Sequence, residues 1–269
     1  MELLKEIKFL NNLPVKLNRF YKKKSKKKFV IKNKSKKTGG NFDPVTDLDR
    51  SIERYVRDLL LSKFKEDGVN GEEFKIKNSN NNRRWIIDPI DGTKAFISGL
   101  PTWSNLIGYS YKNKSLIGLA NFPELKKYYI SDKKKSYVFF DNKRKIIKSS
   151  KNKKKGLLIV GNFYGNSKKI NKLRIIKVLG PSLKQIKIDA LSYCLLAEGK
   201  LDAVIETNLK TFDISPLIPI LKNSGAVVSN WKNKSAENGG NIIASRNKKI
   251  HIKLYFVINK IKEHLTEVL

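Results

Sequence analysis

The stretch Trp85-Ile86-Ile87-Asp88-Pro89-Ile90-Asp91-Gly92-Thr93 constrains this chain more than any other. Three large apolar residues in a row read as a buried strand that delivers Asp88 at its end. Pro89 fixes the backbone of the turn, and Asp91 brings a second carboxylate back to the same point. Gly92 lets the backbone approach a ligand closely. Thr93 to Phe96 can begin a helix whose free N–H groups face an anion. Two carboxylates held together repel each other unless a cation sits between them. Acids for a cation beside amides for a phosphate is the arrangement that metal-assisted phosphate chemistry requires. A turn with helix-capping acids is the plainer reading of Asp-Pro-x-Asp-Gly taken alone.

Composition sharpens the choice, because acids are scarce. The 269 residues hold 57 Lys+Arg against 24 Asp+Glu, a formal net charge of +33. Several acids nevertheless fall at element ends beside Gly or Pro: Asp43, Asp49, Glu72, Glu73, Asp88, Asp91 and Asp213. One cysteine, Cys194, excludes an internal disulfide framework and a Cys-rich metal site, and two distant histidines, His251 and His264, argue against a His-built one. A bound metal would need oxygen ligands, which suits Mg²⁺, Mn²⁺ or Ca²⁺. The basic excess is nearly all Lys and is spread through the chain, densest at 22–28 and 151–155. Abundant Asn and Ile accompany it, as in a chain from an AT-rich coding sequence. No interleaved aromatics mark a recognition motif, so any nucleic-acid binding is expected to be non-specific and salt-sensitive. No apolar run approaches the roughly 18 residues of a membrane span. The start, Met1 to Glu6, does not read as a signal peptide. A cytoplasmic chain with no membrane attachment is expected.

Periodicity predicts the elements. Leu3, Ile7, Leu10 and Leu17 mark an amphipathic helix over 3–20, and Phe29-Val30-Ile31 is strand-like within a basic stretch ending at Gly39-Gly40. Thr46-x-x-Asp49 resembles a capping box opening a second helix, with Ile52, Val56, Leu59, Leu60 and Phe64 on one face and Gly68 and Gly71 as its stop. Short strand-like segments recur from Leu106 to Phe140 and suit an antiparallel sheet. The Lys-rich stretch 143–155 reads as a boundary. Beyond it, strands at 157–160, 203–205 and 226–228 alternate with helices at 188–198 and 214–223, which is an α/β pattern. We therefore expect a mostly antiparallel α+β half over 1–150 and an α/β half over 151–269, forming one catalytic unit. Cys194, Trp85 and Trp103 read as packing residues.

Asp88-Pro89-Ile90-Asp91-Gly92-Thr93, followed by Phe96, Gly99 and Pro101, resembles the signature of the inositol monophosphatase family, the Mg²⁺-dependent, lithium-sensitive phosphatases. Asp43-Pro44-Val45-Thr46-Asp47-Leu48-Asp49, Gly71-Glu72-Glu73, Ala197 to Ala203 with Glu206 and Phe212-Asp213, and Gly239 to Ser245 match further family segments in order. Within the family, Gly92 to Trp103 and Leu209 to Ile214 are most similar to the histidinol-phosphate phosphatase branch. That branch carries Gly-Gly-Asp where this chain has Lys187-Ile188-Asp189.

The resemblance implies a layered αβαβα fold, a homodimer, and water-driven hydrolysis of a small phosphate monoester without a covalent intermediate. It implies that Glu72, Asp88 and the Ile90 carbonyl hold one Mg²⁺, and that Asp88, Asp91 and Asp213 hold a second. A third, weaker ion would sit near Glu72, and Mn²⁺ could replace Mg²⁺. Asp49 and Thr93 would relay the water's proton, and the Gly92 and Thr93 amides would hold the phosphate. Glu206 would touch the substrate alcohol, and Asp189 or Glu206 would attract the cationic amine or imidazole if the substrate is histidinol phosphate. Inositol 1-phosphate and 3′-phosphoadenosine 5′-phosphate are alternative substrates, and a silent polyanion-binding protein is the alternative of another class. Asp49, Asp213 and Asp189 also stand where helix-capping acids stand.

Overall fold

The computed structural model describes residues 2–26, 30–33, 44–141, 143–151, 157–163 and 172–266. In chain order the elements are α1 (Leu4–Lys24), β1 (Ile31–Asn33), β2 (Pro44–Thr46), α2 (Asp47–Lys63), β3 (Gly68–Gly71), β4 (Arg83–Asp91), α3 (Thr93–Ile97), β5 (Ser104–Tyr111), β6 (Lys114–Phe122), β7 (Lys127–Ser131), β8 (Ser136–Phe140) and β9 (Lys143–Ile146). There follow β10 (Ile159–Phe163), α4 (Lys172–Leu179), β11 (Leu183–Lys184), α5 (Asp189–Ala197), β12 (Ala203–Leu209), α6 (Thr211–Ile214), α7 (Leu217–Ser224), β13 (Val227–Asn230), β14 (Gly240–Ser245) and α8 (Lys248–Thr266).

Two sheets organise the chain. One runs β3-β4-β5-β6-β7-β8-β9, antiparallel except for the β3–β4 pair. The other runs β11-β10-β12-β14-β13, with β10 parallel to β11 and β12, and β14 antiparallel to β12 and β13. Successive side chains on a strand face opposite ways, and here both faces are covered. Leu106 on β5 points into a core with α5 and α7, while Ile107 points into a core with α1 and α2. On β12, Val204 joins the α5–α7 core, and Ala203 and Ile205 join one with Ile175 of α4 and Ile250, Leu254 and Ile258 of α8. Three cores between five layers give the expected αβαβα stack.

The middle layer locks the sheets together. A Cβ on Gly118 of β6 would lie 1.8 Å from the Pro216 carbonyl oxygen, so only glycine lets the chain pass this close. On the same helix layer, the Ser136 hydroxyl donates to the Ile220 carbonyl at 2.7 Å, and Asn223 Nδ2 to that of Asp132 at 2.7 Å.

Several sequence expectations are corrected. The helix expected at 214–223 breaks at Ser215-Pro216 into α6 and α7, because proline removes a backbone donor. Gly68 and Gly71 do not stop α2, which ends at Lys63; they bound β3, which pairs with β4. Lys143–Ile146, read as boundary, is β9, a wholly exposed edge strand whose Lys and Arg discourage further pairing. The helices α4 and α8 went unread. Phe29, Gly39-Gly40 and Asp43 lie outside the described residues. Trp85, Trp103 and Cys194 are buried, as expected. Among the described residues no helix is long and apolar enough to cross a membrane.

Candidate active site

The site begins with an irregularity in β4. Asp88 pairs with Leu106 and Asp91 with Ser104, so Pro89 and Ile90 together oppose the single residue Asn105. Such a bulge suits Pro89, which has no N–H for the ladder. Buried Asn105 holds it: its Nδ2 donates to the Pro89 carbonyl at 2.7 Å, and its Oδ1 accepts from buried Asn121 at 2.8 Å. Asn121 in turn reaches Asn18 Oδ1 of α1 at 2.8 Å. Gly92, at φ +80°, then turns the chain into α3, and the Thr93 hydroxyl donates to the Ile90 carbonyl at 3.1 Å.

Other elements bring the remaining acids. Asp49 Oδ2 accepts from the Thr46 amide at 2.8 Å and the Thr46 hydroxyl at 2.5 Å, closing the expected capping box. Asp213 Oδ2 accepts from the Lys210 amide at 2.6 Å. Both acids stand in the first turn of a helix, and both charges act on Asp88. Asp91 Oδ2 accepts from the Ala190 amide of α5 at 2.9 Å and from the Ser104 hydroxyl at 3.3 Å, joining β4 to the middle helix layer. Asp189 has φ +39°, and its Oδ2 lies 2.8 Å from where a Gly92 Cβ would be. Asn162 Nδ2 donates to Glu206 Oε1 at 2.6 Å.

Burial and mutual repulsion shift these carboxyls the same way. Burial, then the charges of Glu72, Asp91, Asp213 and Asp49, push Asp88 well above the usual carboxylate range. Burial and the Asp189 charge push Asp91 up, against the Ala190 N–H, with Asp213 and Glu206 adding to the rise. Burial lifts Asp213 to about 6 despite the Lys210 amide and charge. Burial lifts Glu206 to about 8, opposed by hydrogen bonds from Asn162 and Tyr193 and reinforced by Asp189 and Asp213. Glu72, Asp88, Asp91, Asp213, Asp49, Asp189 and Glu206 thus form one electrostatic set drawn from both sheets.

Among the described residues no group of three or more His, Cys, Asp or Glu side chains is already drawn together as a metal would hold it. The set still fits a hard cation. Its donors are oxygens, and Asp88 Oδ1 is buried with no hydrogen-bond partner. A desolvated carboxylate oxygen without a donor is costly unless something positive completes it. Asn105, Asn121, Asn162 and Tyr193 support this centre and were not singled out from the sequence. The available signal was a polar residue inside an apolar strand, as Asn105 is within Ser104–Tyr111.

A five-layer αβαβα stack of this kind defines the sugar-phosphatase class of folds. The model of the inositol monophosphatase family matches residues 7–263, and this chain belongs to that family of Mg²⁺-dependent phosphatases. It is 29% identical over 214 residues to a histidinol-phosphatase from Mycobacterium tuberculosis, covering 77% of this chain and 82% of the relative. It is 27% identical over 202 residues to a fructose-1,6-bisphosphatase/inositol-1-monophosphatase from Aquifex aeolicus, covering 73% and 76%. The solved inositol monophosphatase from Zymomonas mobilis superposes with a TM-score of 0.79 at 22% identity, covering 96% of this chain and 99% of that one.

Proposed function

We propose that the chain hydrolyses histidinol phosphate to histidinol and inorganic phosphate. The observation that carries the metal-dependent core of this reading is Asp88 Oδ1, buried without a hydrogen-bond partner on a carboxyl that burial and the charges of Glu72, Asp91, Asp213 and Asp49 push up. Glu72, Asp88, Asp91, Asp213 and the Ile90 carbonyl would hold two to three Mg²⁺ ions, with Mn²⁺ able to substitute. When bound, Mg²⁺ supplies Lewis acidity toward the phosphate and the attacking water. Asp49 and Thr93 accept and pass on the water's proton. The Gly92 and Thr93 amides orient the phosphate oxygens at the start of α3. Residues 1–150 and 151–269 act as one unit, because Asp91 of the first part is tied to Ala190 of the second.

Asp189 and Glu206 support a substrate with a positive group. Glu206 at about 8 is protonated at neutral pH in the metal-free site, and a nearby cation would restore its charge. Asp189 holds a left-handed backbone that side chains rarely adopt, which suits a residue placed for contact rather than for helix stability. The Gly92–Trp103 and Leu209–Ile214 segments and the mycobacterial relative support the same substrate.

The test is phosphate release with Mg²⁺ from histidinol phosphate, inositol 1-phosphate, fructose 1,6-bisphosphate and 3′-phosphoadenosine 5′-phosphate. We expect kcat/KM to favour histidinol phosphate by about tenfold or more, with Asp189→Asn erasing the preference. Preference for another ester would keep the chemistry and overturn the substrate. Release from none of them, with nucleic-acid binding unaffected by Asp91→Asn, would favour the polyanion-binding alternative.

A further inference from the structure

Glu53 is a fully buried acid that neither the sequence motifs nor the proposed chemistry uses. It stands on α2, one turn after Asp49. Its Oε1 pairs with Arg57 Nε at 2.7 Å, and its Oε2 accepts from the Glu73 backbone N–H at 2.6 Å. On the other side of Glu72, a Cβ on Gly71 would fall 2.1 Å from Glu53 Oε1. The carboxylate therefore touches the residue before Glu72 and the residue after it. Arg57 adds a second tie, since its Nη2 donates to the Phe74 carbonyl at 3.3 Å.

The side chain of Phe74 extends the grip. The guanidinium groups of Arg50, Arg54 and Arg57 lie 5.3, 5.4 and 5.7 Å from its ring centre. The chain has only nine arginines among 57 basic residues, yet three of them meet one ring. Planar guanidinium groups suit a ring face in a way that lysine does not.

We propose that Glu53 is a positioning residue for the metal ligand Glu72: it fixes the backbone on both sides of Glu72 to α2, so that Glu72 and Asp49 approach Asp88 as one rigid unit. This rests on the metal assignment of the proposed function. The bond pattern gives it a direction. Carboxylates that ligate metals need outer partners to hold them, and losing such a partner commonly weakens metal binding by about 10–100-fold. A residue that served the fold alone would change stability without changing metal affinity.

The test is Mn²⁺ binding to the full chain without substrate, followed by electron paramagnetic resonance, alongside Mg²⁺ activation curves. Glu53→Gln keeps an acceptor for the Glu73 N–H but loses the charge that holds Arg57. It should bind Mn²⁺ about tenfold more weakly and need correspondingly more Mg²⁺ for half-maximal rate, with kcat at saturating Mg²⁺ within about threefold of wild type. Gly71→Ala pushes a methyl group onto the same carboxylate and should act in the same direction. Because both work through one contact, the double variant should fall short of the product of the two effects. Should Glu53→Gln not fold, Arg57→Lys, which keeps a cation but loses the fork to Phe74, must still weaken Mn²⁺ binding. Wild-type Mn²⁺ affinity in a folded Glu53→Gln or Arg57→Lys variant overturns the positioning role. A wild-type chain that binds no Mn²⁺ overturns the metal assignment itself, which is a distinct result.

Discussion

Asp88 and Asp202 are equally hidden, each 2% exposed, yet their surroundings are opposite. Asp202 Oδ2 accepts from the Leu158 amide at 2.7 Å, and its Oδ1 pairs with Arg246 Nε at 2.8 Å. It ties the start of β10 to the loop after β14. Asp88 Oδ1 has no donor, and the charged groups pressing on it are Glu72, Asp91, Asp213 and Asp49. A buried carboxylate that serves the fold is supplied with donors from the chain itself. One with an unpartnered oxygen among like charges lacks that supply, and we propose that a cation completes it.

The two acids should therefore fail in opposite ways. Asp88→Asn should lower kcat/KM by about a thousandfold, the several kcal/mol expected for losing Lewis-acid stabilisation, while the circular dichroism spectrum stays native. A rate within about tenfold of wild type would break the contrast. Asp202→Ala strands Arg246 and should cost about 3 kcal/mol, or roughly 6–12 °C in Tm, with activity at low temperature largely kept. Phosphate-release kinetics and calorimetric melts of the two variants side by side check both. Gly118→Ala probes the lock between the layers that carry the two acids. With a rigid backbone oxygen 1.8 Å from the new methyl, we expect a loss of about 1–3 kcal/mol by denaturant melts.

The last effect is a pH dependence, and its sign follows from the raised carboxyls. Folding lifts Asp213 from the ordinary carboxylate range to about 6. A group raised in this way contributes its full stability below its unfolded pKa and loses it as pH rises through the folded value. Metal-free Asp213→Asn should thus come close to wild type near pH 4 and melt above it once the pH passes about 6. Thermal melts at the two pH values decide it. Saturating Mg²⁺ should shift the order back toward wild type, because only wild type keeps every ligand for the second ion.

The parts of this contrast that could be read from the sequence are the local ones. Asp88 and Asp91 stand three residues apart across a proline, and an apolar strand leads into them, so their convergence is written in one short segment. Asp49 announces itself through Thr46 in the same way. Asp213 lies on a different element, and only the family resemblance brought it to the site. What escaped reading depends on contacts between distant segments. Gly118 looks like an ordinary strand residue until Pro216 arrives against it. The strand β3 shows no apolar alternation, and β9 is exposed at every position, so neither carries the usual pattern. Asn105 and Asn121 reveal their role only when the bulge at Pro89 is placed beside them.

The most direct measurement is calorimetric titration of Mg²⁺ into metal-free wild type and Asp88→Asn, with their melting temperatures before and after. The account predicts that wild type binds Mg²⁺ and gains several degrees. Asp88→Asn should bind far more weakly, gain little, and be at least as stable as wild type before metal is added. Equal Mg²⁺ binding by both, or a metal-free Asp88→Asn that melts well below wild type, would contradict it, since Asp88 would then serve the fold as Asp202 does.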